Sequence, residues 1–142
     1  MSVSTVLSIA VCIGPALVSA WYRPAVDTTW AIQYSGTYLD VSNPATVYDI
    51  DGFNATANLI SGLHGAGHRV ICYFSAGSIE SYTPDAKQFP ASVAGKVLDG
   101  WPDEKWLDVR QLSILRPLML NRAQIAKDKG CDGLDWDNVD GY

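Results

Sequence analysis

Gly133-Leu134-Asp135-Trp136-Asp137-Asn138-Val139-Asp140-Gly141-Tyr142 ends the chain and places three carboxylates within six positions. Read as a strand, it puts Asp135 and Asp137 on one face and Leu134 and Trp136 on the other. Carboxylates crowded at a strand end repel one another, and burial penalises their charged forms. A substrate, a metal or a proton-transfer step can make use of such crowding.

The same pattern recurs upstream. Five β-rich runs are expected at Trp30–Ser35, Val47–Asp51, Arg69–Ala76, Lys105–Arg110 and Gly133–Asn138. Near the C-terminal end of each, polar residues share a face: Gln33 and Ser35, Asp49 and Asp51, Tyr73 and Ser75, Asp108 and Arg110, Asp135 and Asp137. The opposite faces are apolar, with Ile32 and Tyr34 assigned there in the first run. Helices are expected between runs two and three (Ala55–Ala66, stopped by Gly67) and between runs four and five (Ser113–Lys129, closed by Gly130). Pro117 fits only the first turn of the second helix. Residues 77–104 read as a long functional loop or small insertion.

Strand–helix–strand alternation argues for a parallel sheet with helices outside. Fully buried parallel strands are nearly continuous apolar runs, so polar groups at successive strand ends point to the mouth of a (β/α)8 TIM barrel. An open doubly wound sheet would instead carry them at its switch point. No glycine-rich phosphate loop follows the first strand, which disfavours a nucleotide fold. No cofactor is expected.

Each cluster has a structural alternative. Asp108 and Arg110 would make a simple ion pair, and Asp49 and Asp51 would cap the following helix. Trp101, Trp106 and Trp136 suit either a core or a sugar-stacking surface. His64 reads as a solvated helix residue. No His/Cys/carboxylate group has zinc spacing, and the EF-hand glycine and glutamate are absent, so no metal is assigned.

Residues 1–20 read as a secretory signal peptide, with an uncharged apolar run from Val3 to Val18 and a Val18-Ser19-Ala20 cleavage site. The run is short for a membrane span and is broken by Gly14-Pro15. Residues 21–142 then form a single domain. Its net charge of −5, without a Lys/Arg tract, disfavours nucleic acid and anionic membranes as partners. Cys72 and Cys131 remain in the secreted chain, and both a disulfide and two buried thiols stay open. Asn54-Ala55-Thr56 is an N-glycosylation sequon.

Tyr48-Asp49-Ile50-Asp51, Val70-Ile71-Cys72-Tyr73-Phe74-Ser75-Ala76-Gly77-Ser78, Leu98-Asp99-Gly100-Trp101-Pro102, Trp106-Leu107-Asp108-Val109-Arg110 and Asp137-Asn138-Val139-Asp140-Gly141-Tyr142 together resemble glycoside hydrolase family 114. Their order and spacing carry the likeness from about Trp30 to Tyr142. The resemblance implies a secreted TIM-barrel enzyme of the endo-α-1,4-polygalactosaminidase or α-galactosidase type. It implies an acidic nucleophile at Asp137 and a catalytic glutamate on a later strand. Asp49, Asp51, Tyr73, Ser75, Asp108, Arg110, Asp135, Asn138 and Asp140 are the expected substrate-binding residues, for a galactose- or galactosamine-containing glycan. A whole barrel needs roughly 200–250 residues, so the chain is expected to hold the first half, about five strands. A catalytically dead carbohydrate-binding remnant is the alternative.

N-terminal sequencing of secreted protein is expected to begin at Trp21; Met1 retained on membrane-bound material would refute processing after Ala20.

Overall fold

The structure is a computed structural model and describes residues 22–35 and 40–141. The expected signal peptide lies outside the described residues. In chain order the elements are β1 (Trp30–Gln33), β2 (Val47–Asp51), α1 (Ala57–Gly65), β3 (Arg69–Ser75), β4 (Ser78–Glu80), β5 (Ala94–Leu98), β6 (Trp101–Leu107), α2 (Leu112–Lys129) and β7 (Gly133–Asp137). β1, β2, β3 and β7 form one parallel sheet in the order β1-β2-β3-β7.

Residues paired in register on parallel strands share a face. Asp49 pairs with Ile71, Asp51 with Tyr73, Tyr73 with Asp135, and Ser75 with Asp137. All therefore project from one side, here called the inner face. On the outer face Tyr48, Ile50, Val70, Cys72 and Phe74 pack with Ile60 and Leu63 of α1 and Ala126 of α2, flanked by Leu134 and Trp136. Polarity thus sorts the two faces, and burial of the outer one holds the helices on.

Local signals set the helix limits. Thr56 caps α1 through a side-chain oxygen that accepts the Leu59 N–H at 3.2 Å. Gly130 ends α2 at φ 90°, and the Cys131 N–H closes back on the Ala126 carbonyl at 3.0 Å. Pro117 lies in the second turn of α2, not the first as expected. Its missing N–H deprives the Ser113 carbonyl of its helical donor, and both residues are exposed, where water can replace it. His64 is not merely solvated: its Nε2 lies 2.7 Å from an Asp132 carboxylate oxygen. Cys72 and Cys131 form a disulfide with Cα atoms 6.0 Å apart, which settles the open choice in favour of the bridge.

Two expectations about the strands are also corrected. The fourth run is not a barrel strand. Its first residues belong to β6, which pairs antiparallel with β4 and β5 in a separate three-stranded sheet. Asp99-Gly100, with Gly100 at φ 79°, turns the β5–β6 hairpin. The second correction is the face of the first run. Ile32 pairs with Asp49, and the Tyr34 hydroxyl reaches Asp49 and Asp135, so Ile32 and Tyr34 belong to the inner face. Gln33 bonds its own loop instead, to the Ser35 carbonyl and the Asp40 N–H.

The insertion is tied to the barrel by Arg122 of α2, which is fully buried. Its guanidinium donates to both Asp85 oxygens at 2.7 and 2.9 Å and to the Ser75 carbonyl at the end of β3. The Phe53 and Phe89 rings flank it, each 5.2 Å from the guanidinium carbon.

Gly52, just after β2, is a point of close approach. A Cβ there would meet the Phe74 ring at 2.3 Å and the Tyr73 carbonyl at 2.7 Å. Gly52→Ala is therefore expected to destabilise the fold by about 1–3 kcal/mol, the usual scale of overpacking. Urea denaturation checks this, with Gly62→Ala as the control, because nothing lies within 4 Å of a Cβ at that position.

Candidate active site

The C-terminal ends of the parallel strands open into a cleft of about 660 Å³. Its floor is Tyr34, Asp51, Tyr73, Asp137 and Asn138, and its wall is Glu80, Tyr82, Leu98, Trp101 and Glu104 from the antiparallel insertion. The insertion therefore supplies a large share of the site.

Asp137 is exposed at the tip of β7 and accepts the Tyr73 hydroxyl at 2.9 Å. Asn138 follows at φ 59°, a left-handed conformation that Asn tolerates better than most residues. Its amide donates to Ser75 Oγ at 3.0 Å and to Ser78 Oγ at 3.2 Å. Ser78 in turn donates to Glu104 at 2.7 Å. The Asp137-Asn138 pair is thus a strand end with a fixed turn, which aims the carboxylate into the cleft.

Asp51 accepts the N–H groups of Phe53 and Asn54 at 2.7 and 3.0 Å and the Asn54 side-chain amide at 2.7 Å. It both caps the turn before α1 and lines the cleft. Asn54, the sequon residue, is itself on the cleft rim. Beneath this layer lie Asp49 and Asp135, both accepting the Tyr34 hydroxyl at 3.1 Å. Burial, reinforced by the Asp135 charge, pushes the Asp49 carboxyl up to about 7.

Glu80 and Glu104 oppose each other across the β4–β6 ladder, and both are nearly fully buried. Like charges placed so are unfavourable. Burial, with the Glu104 charge adding to it, pushes the Glu80 carboxyl up to about 7, against the stabilising hydrogen bond from Tyr82. Burial likewise raises the Tyr73 hydroxyl well above its ordinary value, with the charge of Glu80 and the bond to Asp137 contributing. Tyr73 therefore stays protonated and remains a donor to Asp137.

The expected residues divide into three groups. Asp51, Tyr73, Asp137 and Asn138 line the cleft. Asp49, Ser75 and Asp135 share the same face without lining the cleft. Asp108, Arg110 and Asp140 do not line it. Asp108 and Arg110 sit in the turn after β6 as a bidentate ion pair, at 2.6 and 2.9 Å, which holds Asp108 down to about 2. Asp140 is exposed beyond β7. Sequence reasoning missed Tyr34, Glu80, Tyr82 and Glu104 as site residues. Of the three tryptophans left open, Trp101 is exposed at the cleft, whereas Trp136 packs near Phe74 on the outer face. Among the described residues no cluster of His, Cys, Asp and Glu could hold a metal, and no helix is long and apolar enough to cross a membrane.

Comparison with known proteins matches this geometry to one family. The model of glycoside-hydrolase family GH114 matches residues 15–142. The crystal structure of Aspergillus fumigatus Ega3 in complex with galactosamine is similar, at 49% identity and a TM-score of 0.83, over 87% of this chain and 49% of that one. The glycoside hydrolase domain of PelA from Pseudomonas aeruginosa shares the fold, at 19% identity and a TM-score of 0.68, over 80% of this chain and 46% of that one. No curated protein matches. The chain spans about half the length of these solved relatives, and its parallel sheet with outer helices is a partial TIM barrel. With the family match running through both the strand ends and the insertion, the chain belongs to glycoside hydrolase family GH114.

Proposed function

We propose that the protein is a secreted glycosidase acting on galactosamine- or galactose-containing glycans, with Asp137 as the nucleophilic carboxylate. The observation that carries this is Asp137 itself, anchored by Tyr73 at the floor of an acidic cleft with an aromatic rim. Trp101 and Tyr82 offer exposed ring faces on which the apolar side of a pyranose can stack. Ega3 was solved with galactosamine, and an α-1,4-galactosaminidic linkage is the substrate that best suits this site. Its protonated amine complements the carboxylates Asp51, Glu80, Glu104 and Asp137.

Glycoside hydrolysis needs one carboxyl that donates a proton to the leaving oxygen and another that attacks or activates water. Tyr73 holds Asp137 and stabilises its charge. The second catalytic carboxyl is the glutamate that the family resemblance puts on a later strand. Asp51, Asn138 and Glu80 contact the sugar. A carbohydrate-binding protein without catalysis is the second reading, since the aromatic and carboxylate cleft would serve it equally; it would bind polymer and release no product.

Asp137→Asn is expected to abolish product release from an α-1,4-galactosamine polymer, assayed beside an α-galactoside, while preserving fold and binding. The loss should be several orders of magnitude, each factor of ten being about 1.4 kcal/mol of barrier. Asp108→Asn is the comparison and should leave turnover unchanged, because its ion pair stands outside the cleft. Near wild-type turnover by Asp137→Asn would move the nucleophile to another carboxylate, with Asp135 the first to test.

Binding should also depend on pH. Below about 7 Glu80 keeps its proton and is neutral; above it the group is charged. Affinity for galactosamine oligomers should therefore rise as pH passes upward through 7, until the sugar amine loses its own proton. Calorimetric titration checks this, and Glu80→Gln should flatten the rise.

A further inference from the structure

Asp49 is 2% exposed, and its Oδ1 has no hydrogen-bond partner among the described residues. Its Oδ2 accepts the Tyr34 hydroxyl at 3.1 Å, and the same hydroxyl reaches Asp135 Oδ2 at 3.1 Å. One phenol has one proton, so it cannot satisfy both carboxylates at full strength. That shared oxygen brings the two carboxyls close, and the Asp135 charge acts on Asp49. The neighbours paired with Asp49 in register are Ile32 on β1 and Ile71 on β3, both apolar. On its own strand the same face carries Val47 and Asp51. The groups acting electrically on Asp49 are Asp135 and Tyr34. Two carboxyls drawn to one phenol oxygen in such surroundings do not both ionise, because like charges at that range are too costly. A neutral carboxyl also lowers the cost of leaving that oxygen buried without a partner.

Tyr34 leads from this pair to the cleft. Its ring stacks on Tyr73, with centroids 4.3 Å apart and planes inclined at 30°. Tyr73 donates to Asp137 at 2.9 Å.

We propose that Asp49 and Asp135 share a single proton below the cleft, and that Tyr34, which spans them, is a positioning residue for Tyr73 and through it for Asp137. The catalytic part rests on Asp137 being the nucleophile; the proton-sharing part does not. Held between two carboxyls, Tyr34 cannot rotate freely, so the ring stacked on it keeps one orientation. Asp49 supplies the buried proton and Asp135 the charge. A neutral amide at position 49 should then replace the carboxylic acid well, and a neutral amide at position 135 should not.

The test is carbon-13 NMR of the aspartate carboxyls in the protein, with Asp49→Asn, Asp135→Asn and Tyr34→Phe alongside. The Asp49 carboxyl of the wild type should keep its proton well above the ordinary aspartate range. Its titration as an ordinary exposed aspartate would overturn the shared proton. Because the proton is bound in the folded state and lost in the unfolded one, stability should fall as pH rises from about 4 to about 7. Asp49→Asn should lessen that fall and leave the part that Glu80 contributes over the same range, and an unchanged slope would count against the assignment. For positioning, Tyr34→Phe should shift the Asp137 carboxyl resonance, and an unmoved resonance would overturn it. In hydrolysis, Tyr34→Phe should lower kcat on the order of ten- to a hundredfold with KM little changed, and Asp49→Asn should fall less than Asp135→Asn. If the wild type itself releases no product, the catalytic reading fails while both NMR readouts still decide the proton and the positioning.

Discussion

The buried guanidinium of Arg122 is the constraint on which the cleft depends. It joins three parts of the chain: helix α2 that carries it, the insertion through Asp85, and the end of β3 through the Ser75 carbonyl. A buried ion pair is not by itself a source of stability, since desolvation offsets most of its attraction. Losing one partner is a different matter, because the other is left charged in an apolar setting at a cost of about 3–5 kcal/mol. Phe53 and Phe89 on either side make such a loss worse, as neither can accept a hydrogen bond in the ring plane. The pair therefore fixes where the insertion sits more than how stable the protein is. Glu80 and Tyr82 stand a few residues before Asp85, so their place over the strand ends follows from that contact.

With the wall fixed, the floor concentrates negative charge. A barrel mouth usually spreads its polar groups over the ends of separate strands. Here register brings Tyr73 and Asp135 side by side, with Ser75 and Asp137 one layer higher. Hydroxyl groups separate the carboxylates: Tyr34 between Asp49 and Asp135, Tyr73 beside Asp137, Ser78 beside Glu104. A phenol or alcohol donor satisfies a carboxyl oxygen without a neighbouring cation. The cleft stays acidic as a result, and a basic ligand meets no competing lysine or arginine among the residues that line it.

Much of this was legible in the sequence. The period of apolar residues located α1 and α2, and the alternation in Arg69–Ser75 and Gly133–Asp137 assigned the right residues to the inner face. What failed did so for physical reasons. Trp101–Leu107 has the composition of a strand, but composition does not distinguish a parallel strand from a hairpin arm. The Asp99-Gly100 turn was the available signal. In β1, an edge strand, polarity did not sort the faces, so Tyr34 was assigned to the wrong side. Glu80 and Glu104 are far apart in sequence, and only the β4–β6 pairing brings them together. Nothing local in the sequence marks Arg122, because its partner Asp85 lies buried within the insertion, far along the chain. The pairing of Cys72 with Cys131 could not be decided without the Cα separation.

That pairing has a topological consequence. Cys72 lies in the middle of β3, and Cys131 lies just past the glycine that closes α2, with a sequence separation of 59. The covalent loop between them encloses the second half of β3, the whole antiparallel insertion and all of α2. A protease that cuts once anywhere in this loop, including the exposed segments around Tyr82 or Lys96, leaves the two pieces joined. Tension applied at the two ends of the chain bypasses the loop as well, because the sulfur bridge carries it directly from β3 to the entry of β7. The cleft wall is thus mechanically sheltered: it hangs from the load-carrying path instead of forming part of it.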